Sequence, residues 1–290
     1  MISDIKKSSS FNTIPKIIHY CWFGGNPLGV EEIRCIDSWK RFFPDYTIMR
    51  WDESNFDVRC IPYVSQAYDA KKWAFVSDYA RFAVLYKFGG LYFDTDVEVI
   101  RPMDDIISKG PFMGFETDAG EINNNLASVS RSSLSVNPGL GLSANPGLYI
   151  YKLILDSYSE DEFIRSDGTF NQTTVVVRTT KILRSFGLAD APGIQEVAGV
   201  TIYPSEYFNP KDFYTGEIRK TGNTRSIHHF GMSWVSEKDK YRHRVLSWGL
   251  KRGLTMRAAG HLARACIFFH FFDVKHIYRF FRKGLSKCSE

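Results

Sequence analysis

The sequence predicts an α/β protein, a mixed sheet flanked by helices, with a basic helical appendix at its C-terminal end. Three observations carry that expectation. Short apolar runs of strand length alternate with amphipathic stretches of helix length. One such stretch, Lys71 to Phe88, meets Gly89-Gly90 and passes directly into Leu91-Tyr92-Phe93-Asp94-Thr95-Asp96-Val97-Glu98-Val99. Positive charge collects late: from Lys238 to Glu290, 13 Lys and Arg stand against 3 Asp and Glu, whereas the rest of the chain carries 24 against 29.

At 290 residues, 44% of them apolar and 24% charged, the chain can bury one substantial core in a single enlarged domain. We place that domain at residues 14–250, after a polar leader at 1–13 that we expect to be mobile, and assign 251–290 to the tail. No run of about 18 apolar residues marks a transmembrane helix, and Met1 to Lys7 lacks the apolar core of a signal peptide. The five cysteines are dispersed, without a Cys-x-x-Cys pair, which favours free thiols over a disulfide frame or a zinc site. The setting expected from these features is cytoplasmic.

The elements follow in order. Ile14 to Trp22 is a buried strand ending in Phe23-Gly24-Gly25, and Glu31 to Phe43 an amphipathic helix stopped by Pro44. Tyr46 to Trp51 is a second strand, with a short helix expected at 63–68. The helix at 71–88 carries Trp73, Val76, Ala80, Ala83 and Val84 at helical spacing, and Gly89 suits its C-terminal cap. An Asp-x-Asp hairpin comes next, then Pro102 with a short helix, and a strand at 111–116. Asn123 to Asn125 and Val136 to Pro146 form Gly/Asn-rich loops around a strand at 140–144; they line a pocket or form ordinary surface. Asn145-Pro146 opens a helix to about Tyr158, Thr173 to Phe186 forms another, and Val200 to Pro210 is a strand broken by proline.

The chemistry centres on Asp94 and Asp96. Alternation along a strand puts both carboxylates on one side of the backbone. Like charges so close repel, so they call for a cation between them. A hard divalent ion carrying the phosphates of a nucleotide fits, while a solvated turn accounts for the Asp-x-Asp string taken alone. Upstream, Asp78 and Arg81 are three residues apart on one helix face and can pair. An arginine held by its own carboxylate is suited to gripping hydroxyls or phosphates. Trp22 stands at the end of a strand, where α/β sheets gather their ligands; a core tryptophan is the alternative. His228 is either a satisfied core histidine or a nitrogen ligand that completes a Mn²⁺ site with Asp96.

Ser77-Asp78-x-x-Arg81 followed by Gly89-Gly90-x-Tyr92-x-Asp94-x-Asp96 resembles glycosyltransferase family 32, and more distantly the clostridial-toxin glucosyltransferases. Ile18-His19-x-x-Trp22-x-Gly24-Gly25, Ile202 to Phe208 and His228 to Trp234 match further landmarks, so the resemblance covers about residues 14–234. It implies a nucleotide-sugar-binding domain of the GT-A type that transfers a glycosyl group with retention of configuration. It also implies Mn²⁺ or Mg²⁺ on Asp94, Asp96 and His228, with Trp22 against the nucleotide base. Asp78, Arg81 and Tyr92 would then lie at the donor, and Ser233 and Trp234 at metal and phosphate. The toxins carry an acid where His228 stands, which leaves the identity of that ligand atom open. UDP-hexose is the expected donor and GDP-mannose the alternative; the acceptor is a hydroxyl of a glycan or lipid-linked saccharide, in surface polysaccharide synthesis. For a nucleophilic carboxylate, Glu116 and Asp118 are the candidates by position. A catalytically inactive sugar-nucleotide- or polysaccharide-binding subunit of the same fold is the competing reading. A metal-dependent phosphohydrolase lacks the further ligands it needs nearby.

The tail interleaves basic residues with aromatics such as Phe268, Phe269, Phe271 and Phe272. We expect residues 251–287 to lie on an anionic membrane surface, the inner face of the cytoplasmic membrane; a helical appendix with a solvated basic face is the alternative. No nucleic-acid recognition motif accompanies the charge.

Overall fold

The computed structural model describes residues 13–118, 134–231 and 235–271. The described residues divide into two compact units, one formed by residues 13–118, 134–211 and 218–231, the other by 212–217 and 235–271.

The first half of the larger unit runs β1 (Ile17–Cys21), α1 (Val30–Phe42), β2 (Thr47–Trp51), α2 (Pro62–Asp69), α3 (Trp73–Phe88), β3 (Gly90–Tyr92), β4 (Val97–Val99), α4 (Asp104–Ile107) and β5 (Phe112–Thr117). It continues with β6 (Ser135–Val136), β7 (Leu142–Ala144), α5 (Tyr149–Ser159), α6 (Val175–Ser185), β8 (Gln195–Val197), β9 (Val200–Tyr203), α7 (Ser205–Phe208) and β10 (Ser226–His228). One sheet has the order β2-β1-β3-β7, with β1 parallel to both β2 and β3, and β7 antiparallel to β3. Parallel neighbours need crossovers, and α1 and the α2–α3 pair supply them. A second sheet has the order β6-β5-β9-β8, and β4 pairs with β10, antiparallel. The result is the mixed, helix-flanked α/β architecture that the sequence predicts.

Alternation along β1 and β3 feeds two cores. Ile18, Tyr20 and Leu91 join Trp39, Phe43, Phe93 and Phe208 in one. Cys21 and Tyr92 join Trp51, Tyr63, Phe82 and Tyr151 in the other. α3 is the central helix, buried on several faces through Val76, Ala80, Phe82, Val84 and Leu85. It ends where it does because Gly89 takes φ 66°, with its N–H returned to the carbonyl of Leu85 at 2.8 Å. Gly90 lies so near β1 that a Cβ there would sit 2.6 Å from the carbonyl of Ile17. The Gly pair therefore sets both the helix stop and the entry into β3.

Two local expectations are overturned. Asn145-Pro146 does not open α5, which starts at Tyr149. Pro146 instead packs over the helix stop, 2.7 Å from where a Gly89 Cβ would lie. Nor is there an Asp-x-Asp hairpin, since β3 and β4 belong to different sheets. The expected break after β9 is a turn into α7, with Pro204 preceding its first residue.

In the smaller unit, α8 (Glu237–Lys251) and α9 (Met256–Phe271) pack as a pair. Ser236 caps α8, its hydroxyl accepting the N–H of Asp239 at 3.2 Å. Gly249 permits a close approach to α9, because a Cβ there would lie 3.0 Å from that of Ala259. Among the described residues no helix is long and apolar enough to cross a membrane. The expected leader (but for Thr13), the Asn123–Asn125 loop and the tail beyond Phe271 lie outside the described residues.

Candidate active site

Asp94, Thr95 and Asp96 form a turn between β3 and β4, closed by the Val97 N–H on the carbonyl of Asp94 at 3.0 Å. The expectation that strand alternation aligns the two carboxylates fails, because neither aspartate lies in a strand. They converge because the turn faces β10. Ligand atoms of Asp94, Asp96 and His228 lie within 4.8 Å of one another. β1 and β3 are parallel neighbours in register at His19 and Tyr92, so Trp22 and Asp94 emerge beyond the same carboxyl edge of the sheet.

The local fold holds each carboxylate differently. Asp96 Oδ1 is 3.2 Å from His228 Nε2, and its Oδ2 accepts the Gly231 N–H at 2.7 Å. Burial alone would raise its pKa, but His228 and these hydrogen bonds outweigh burial and hold it well below the usual carboxylate range. His228 answers in kind: burial pulls it down, and Asp96, with Asp94 and Glu116, raises it above an ordinary histidine. Its Nδ1 is buried and has no hydrogen-bond partner among the described residues. Asp94 Oδ1 accepts the Tyr92 hydroxyl at 3.0 Å, and Oδ2 accepts Arg81 Nη1 at 3.3 Å.

Arg81 and Asp78 pair as the sequence predicts, Nη2 to Oδ1 at 2.9 Å, but deep in the protein, with side chains only 4% and 12% exposed. Burial pushes the Asp78 carboxyl up to about 6 against the pull of Arg81. The guanidinium donates to Asp78, to Asp94 and, through Nε, to the carbonyl of Ser77 at 3.3 Å; it also lies 4.9 Å from the Tyr92 ring. Its donors are thus turned onto the chain's own carboxylates, and Tyr92 is buried beside it. Trp22 is half-buried at the edge of a core, with Nε1 donating to the carbonyl of Asn26 at 2.7 Å. Ser233 and Trp234 lie outside the described residues.

The two candidate nucleophiles separate. Asp118 accepts the backbone N–H of Ser205 at 2.9 Å and its hydroxyl at 2.6 Å, and so holds the start of α7. Glu116 accepts the Asn137 side-chain amide, at 3.0 Å on Oε1, and burial raises its pKa, with His228 and that hydrogen bond opposing. Burial pushes the Cys21 and Cys35 thiols up to about 12, which removes both as nucleophiles.

Several groups around the site were not legible beforehand. Gly231 holds Asp96 by its backbone alone, which no side-chain pattern signals. His229 Nε2 lies 2.8 Å from Glu98 Oε2, and Arg34 Nη1 donates to that same oxygen at 3.2 Å. Its only sequence signal is a His-His pair opposite Asp96 and Glu98. Asn137-Pro138-Gly139 beside Asp94 carries a turn signature without any indication of its neighbour.

The donor set fits a divalent ion. Two carboxylates and one imidazole are a donor set that can hold a divalent ion, and 3.2 Å between Asp96 Oδ1 and His228 Nε2 matches the about 3 Å between adjacent ligands of an octahedral ion.

The chain is similar to inositol phosphoceramide mannosyltransferase 3 of Schizosaccharomyces pombe, 31% identical over 125 residues, which is 40% of this chain and 34% of that protein. Inositol phosphoceramide mannosyltransferase 1 of the same organism is 28% identical over 127 residues, 39% of this chain and 38% of that one. The chain therefore spans little more than a third of the length of these curated relatives. Among solved structures, the PaToxG glycosyltransferase gives a TM-score of 0.43 at 18% identity, covering 59% of this chain and 69% of that one. The galactosyltransferase LgtC, in complex with donor and acceptor sugar analogs, gives 0.39 at 14%, covering 85% and 96%. The family model described as a glycosyltransferase sugar-binding region containing a DXD motif matches residues 29–113. That segment holds Asp78, Arg81, Asp94 and Asp96, and it is similar to the sugar-binding region of glycosyltransferases with a DXD motif.

Proposed function

We propose that this protein is a metal-dependent, retaining glycosyltransferase with a GT-A-type domain, moving a hexose from a nucleotide-sugar to a hydroxyl of a glycan or lipid-linked saccharide. The observation that carries the reading is the convergence of Asp94, Asp96 and His228 at the sheet edge from which Trp22 emerges. These three residues would hold Mn²⁺ or, less readily, Mg²⁺, and the ion, when bound, supplies positive charge for the departing nucleoside diphosphate. Trp22 offers a half-exposed indole for the base. Arg81 and Tyr92 fix the Asp94 carboxylate, and Gly231 fixes that of Asp96. Asp78 acts through Arg81, whose position it sets. Ser233 and Trp234 keep the role the family resemblance gives them, next to metal and phosphate, and retention of configuration rests on the same resemblance.

For the donor, the toxin-like motifs favour UDP-hexose, whereas the names of the two fungal relatives favour GDP-mannose. Those names also agree with a lipid-borne acceptor hydroxyl. Surface polysaccharide synthesis, on the inner face of the cytoplasmic membrane, is the setting we propose. Its support is the basic tail together with Phe269, 79% exposed on α9.

The test is release of UDP or GDP from UDP-glucose and GDP-mannose, with Mn²⁺ or with EDTA, by the wild type and by Asp96→Ala. Release from one donor that needs the ion and Asp96 is expected. Turnover undiminished in EDTA would sink the metal assignment. Nucleotide-sugar binding without any release would favour the inactive binding subunit instead.

A further inference from the structure

The Asp94 carboxylate is confined from two sides by the chain itself. Arg81 and Tyr92 donate to it from one side, at 3.3 and 3.0 Å. The other side is closed by backbone, the turn Asn137-Pro138-Gly139. The Gly139 carbonyl accepts the Asp94 N–H at 3.2 Å. Gly139 lies so close to the carboxylate that a Cβ there would fall 2.1 Å from Asp94 Oδ2 and 3.0 Å from Asn137 Oδ1.

The turn is itself held at each step. Asn137 is buried, and its Oδ1 accepts the Gly139 N–H at 2.7 Å, an Asx turn that fixes where Gly139 lies. Its Nδ2 donates to Glu116 Oε1 at 3.0 Å, and its backbone N–H donates to the carbonyl of Gly114 at 3.1 Å. Both of those acceptors belong to β5, so a rigid strand anchors the turn.

We propose that Glu116, Asn137 and Gly139 form a positioning relay for Asp94. Glu116 orients the Asn137 amide, Asn137 sets Gly139, and Gly139 leaves the carboxylate only the orientation that faces Asp96 and His228. A ligand set must be held in its binding geometry before the ion arrives, and partners behind the ligands do that work. The proposal assigns no direct ion contact to any of the three residues. It rests on the reading of Asp94, Asp96 and His228 as a metal site.

The experiment is a Mn²⁺ titration of the full chain, followed by the electron paramagnetic resonance signal of free Mn²⁺, with no donor or acceptor present. Gly139→Ala should raise the Kd for Mn²⁺ at least tenfold. Its ion-free Tm should fall modestly, because the new methyl displaces the Asp94 carboxylate from Arg81 and Tyr92. Glu116→Ala should weaken binding in the same direction. Glu116→Gln keeps an oxygen for the Asn137 amide and should stay within about twofold of wild type. That rescue separates an orienting hydrogen bond from an effect of the glutamate's charge.

If Gly139→Ala and Glu116→Ala bind Mn²⁺ like wild type while Asp96→Ala does not, the relay is overturned and the metal site stands. Equal weakening in Glu116→Ala and Glu116→Gln also overturns it, in favour of charge. If the wild type fails to bind Mn²⁺, or Asp96→Ala binds it equally well, the metal-site reading falls and takes the relay with it. Should Gly139→Ala fail to fold, the two Glu116 variants decide.

Discussion

His19 should make the stability of this protein fall as the solution turns acidic. The imidazole projects from β1 and is fully buried against Trp51 of β2 and the stop of α3. Its Nδ1 accepts the Trp51 indole N–H at 3.0 Å, so the ring proton belongs on Nε2, which faces the carbonyl of Gly89 at 2.9 Å. A second proton would set an N–H against the indole N–H. Burial, opposed by the Gly89 hydrogen bond, lowers the pKa from 6.5 to about 4. The sign follows from which state takes the proton first. Between pH 6.5 and 4 the unfolded chain is protonated at this residue and the folded one is not, so stability is lost as pH falls through that window. The gap of about 2.5 pK units corresponds to about 3 kcal/mol in total, nearly all of it lost by pH 4. The assay is urea unfolding of wild type and His19→Gln at steps from pH 7.5 to 4. Burial holds the Asp78 carboxyl at about 6, inside the same range, and taking the difference between the two proteins removes that shared contribution. The wild-type advantage should shrink by about 3 kcal/mol over that range. A difference that stays constant with pH would refute the account, because the folded state would then accept the proton as readily as the unfolded one.

Trp22→Ala should weaken binding of the nucleoside diphosphate by about 1–3 kcal/mol, the range for a base stacked on an aromatic ring, with little change in Tm because the indole is half-exposed. Isothermal titration with UDP and GDP checks this, and a large loss of stability with unchanged affinity would return Trp22 to the core. Arg81→Ala should cost about 3–5 kcal/mol of folding stability by leaving the buried Asp78 carboxylate without its cation; denaturant unfolding measures it, and a cost below 1 kcal/mol would mean that water reaches the pair. Phe269→Ser should leave the Tm unchanged and lower sedimentation with anionic phosphatidylserine vesicles at low salt. Equal vesicle binding by the variant would remove α9 as the contact.

What the sequence could and could not convey divides along the range of the interactions. α3, its glycine stop and the Asp78–Arg81 pair were legible because each depends on residues within a turn or two of one another. Side-chain spacing does not, however, carry the depth of that pair, and depth changes its role. An exposed pair would leave Arg81 free for a ligand, whereas one packed under Tyr92 has its remaining donors drawn to Asp94. The spacing of the Asp-x-Asp string predicts a strand, whereas Asp94–Asp96 form a turn. A turn at Asp94–Asp96 allows what a strand would not: β3 stays in the main sheet while β4 leaves it to pair with β10. That departure brings His228, 132 positions after Asp96, against its carboxylate. The contacts that hold the carboxylates in place, Gly231 N–H on Asp96 and Gly139 against Asp94, come from backbone and from a missing side chain. A sequence states such features only as the letter G. Their meaning depends on what the fold puts across from them, and here that is the pair of carboxylates themselves.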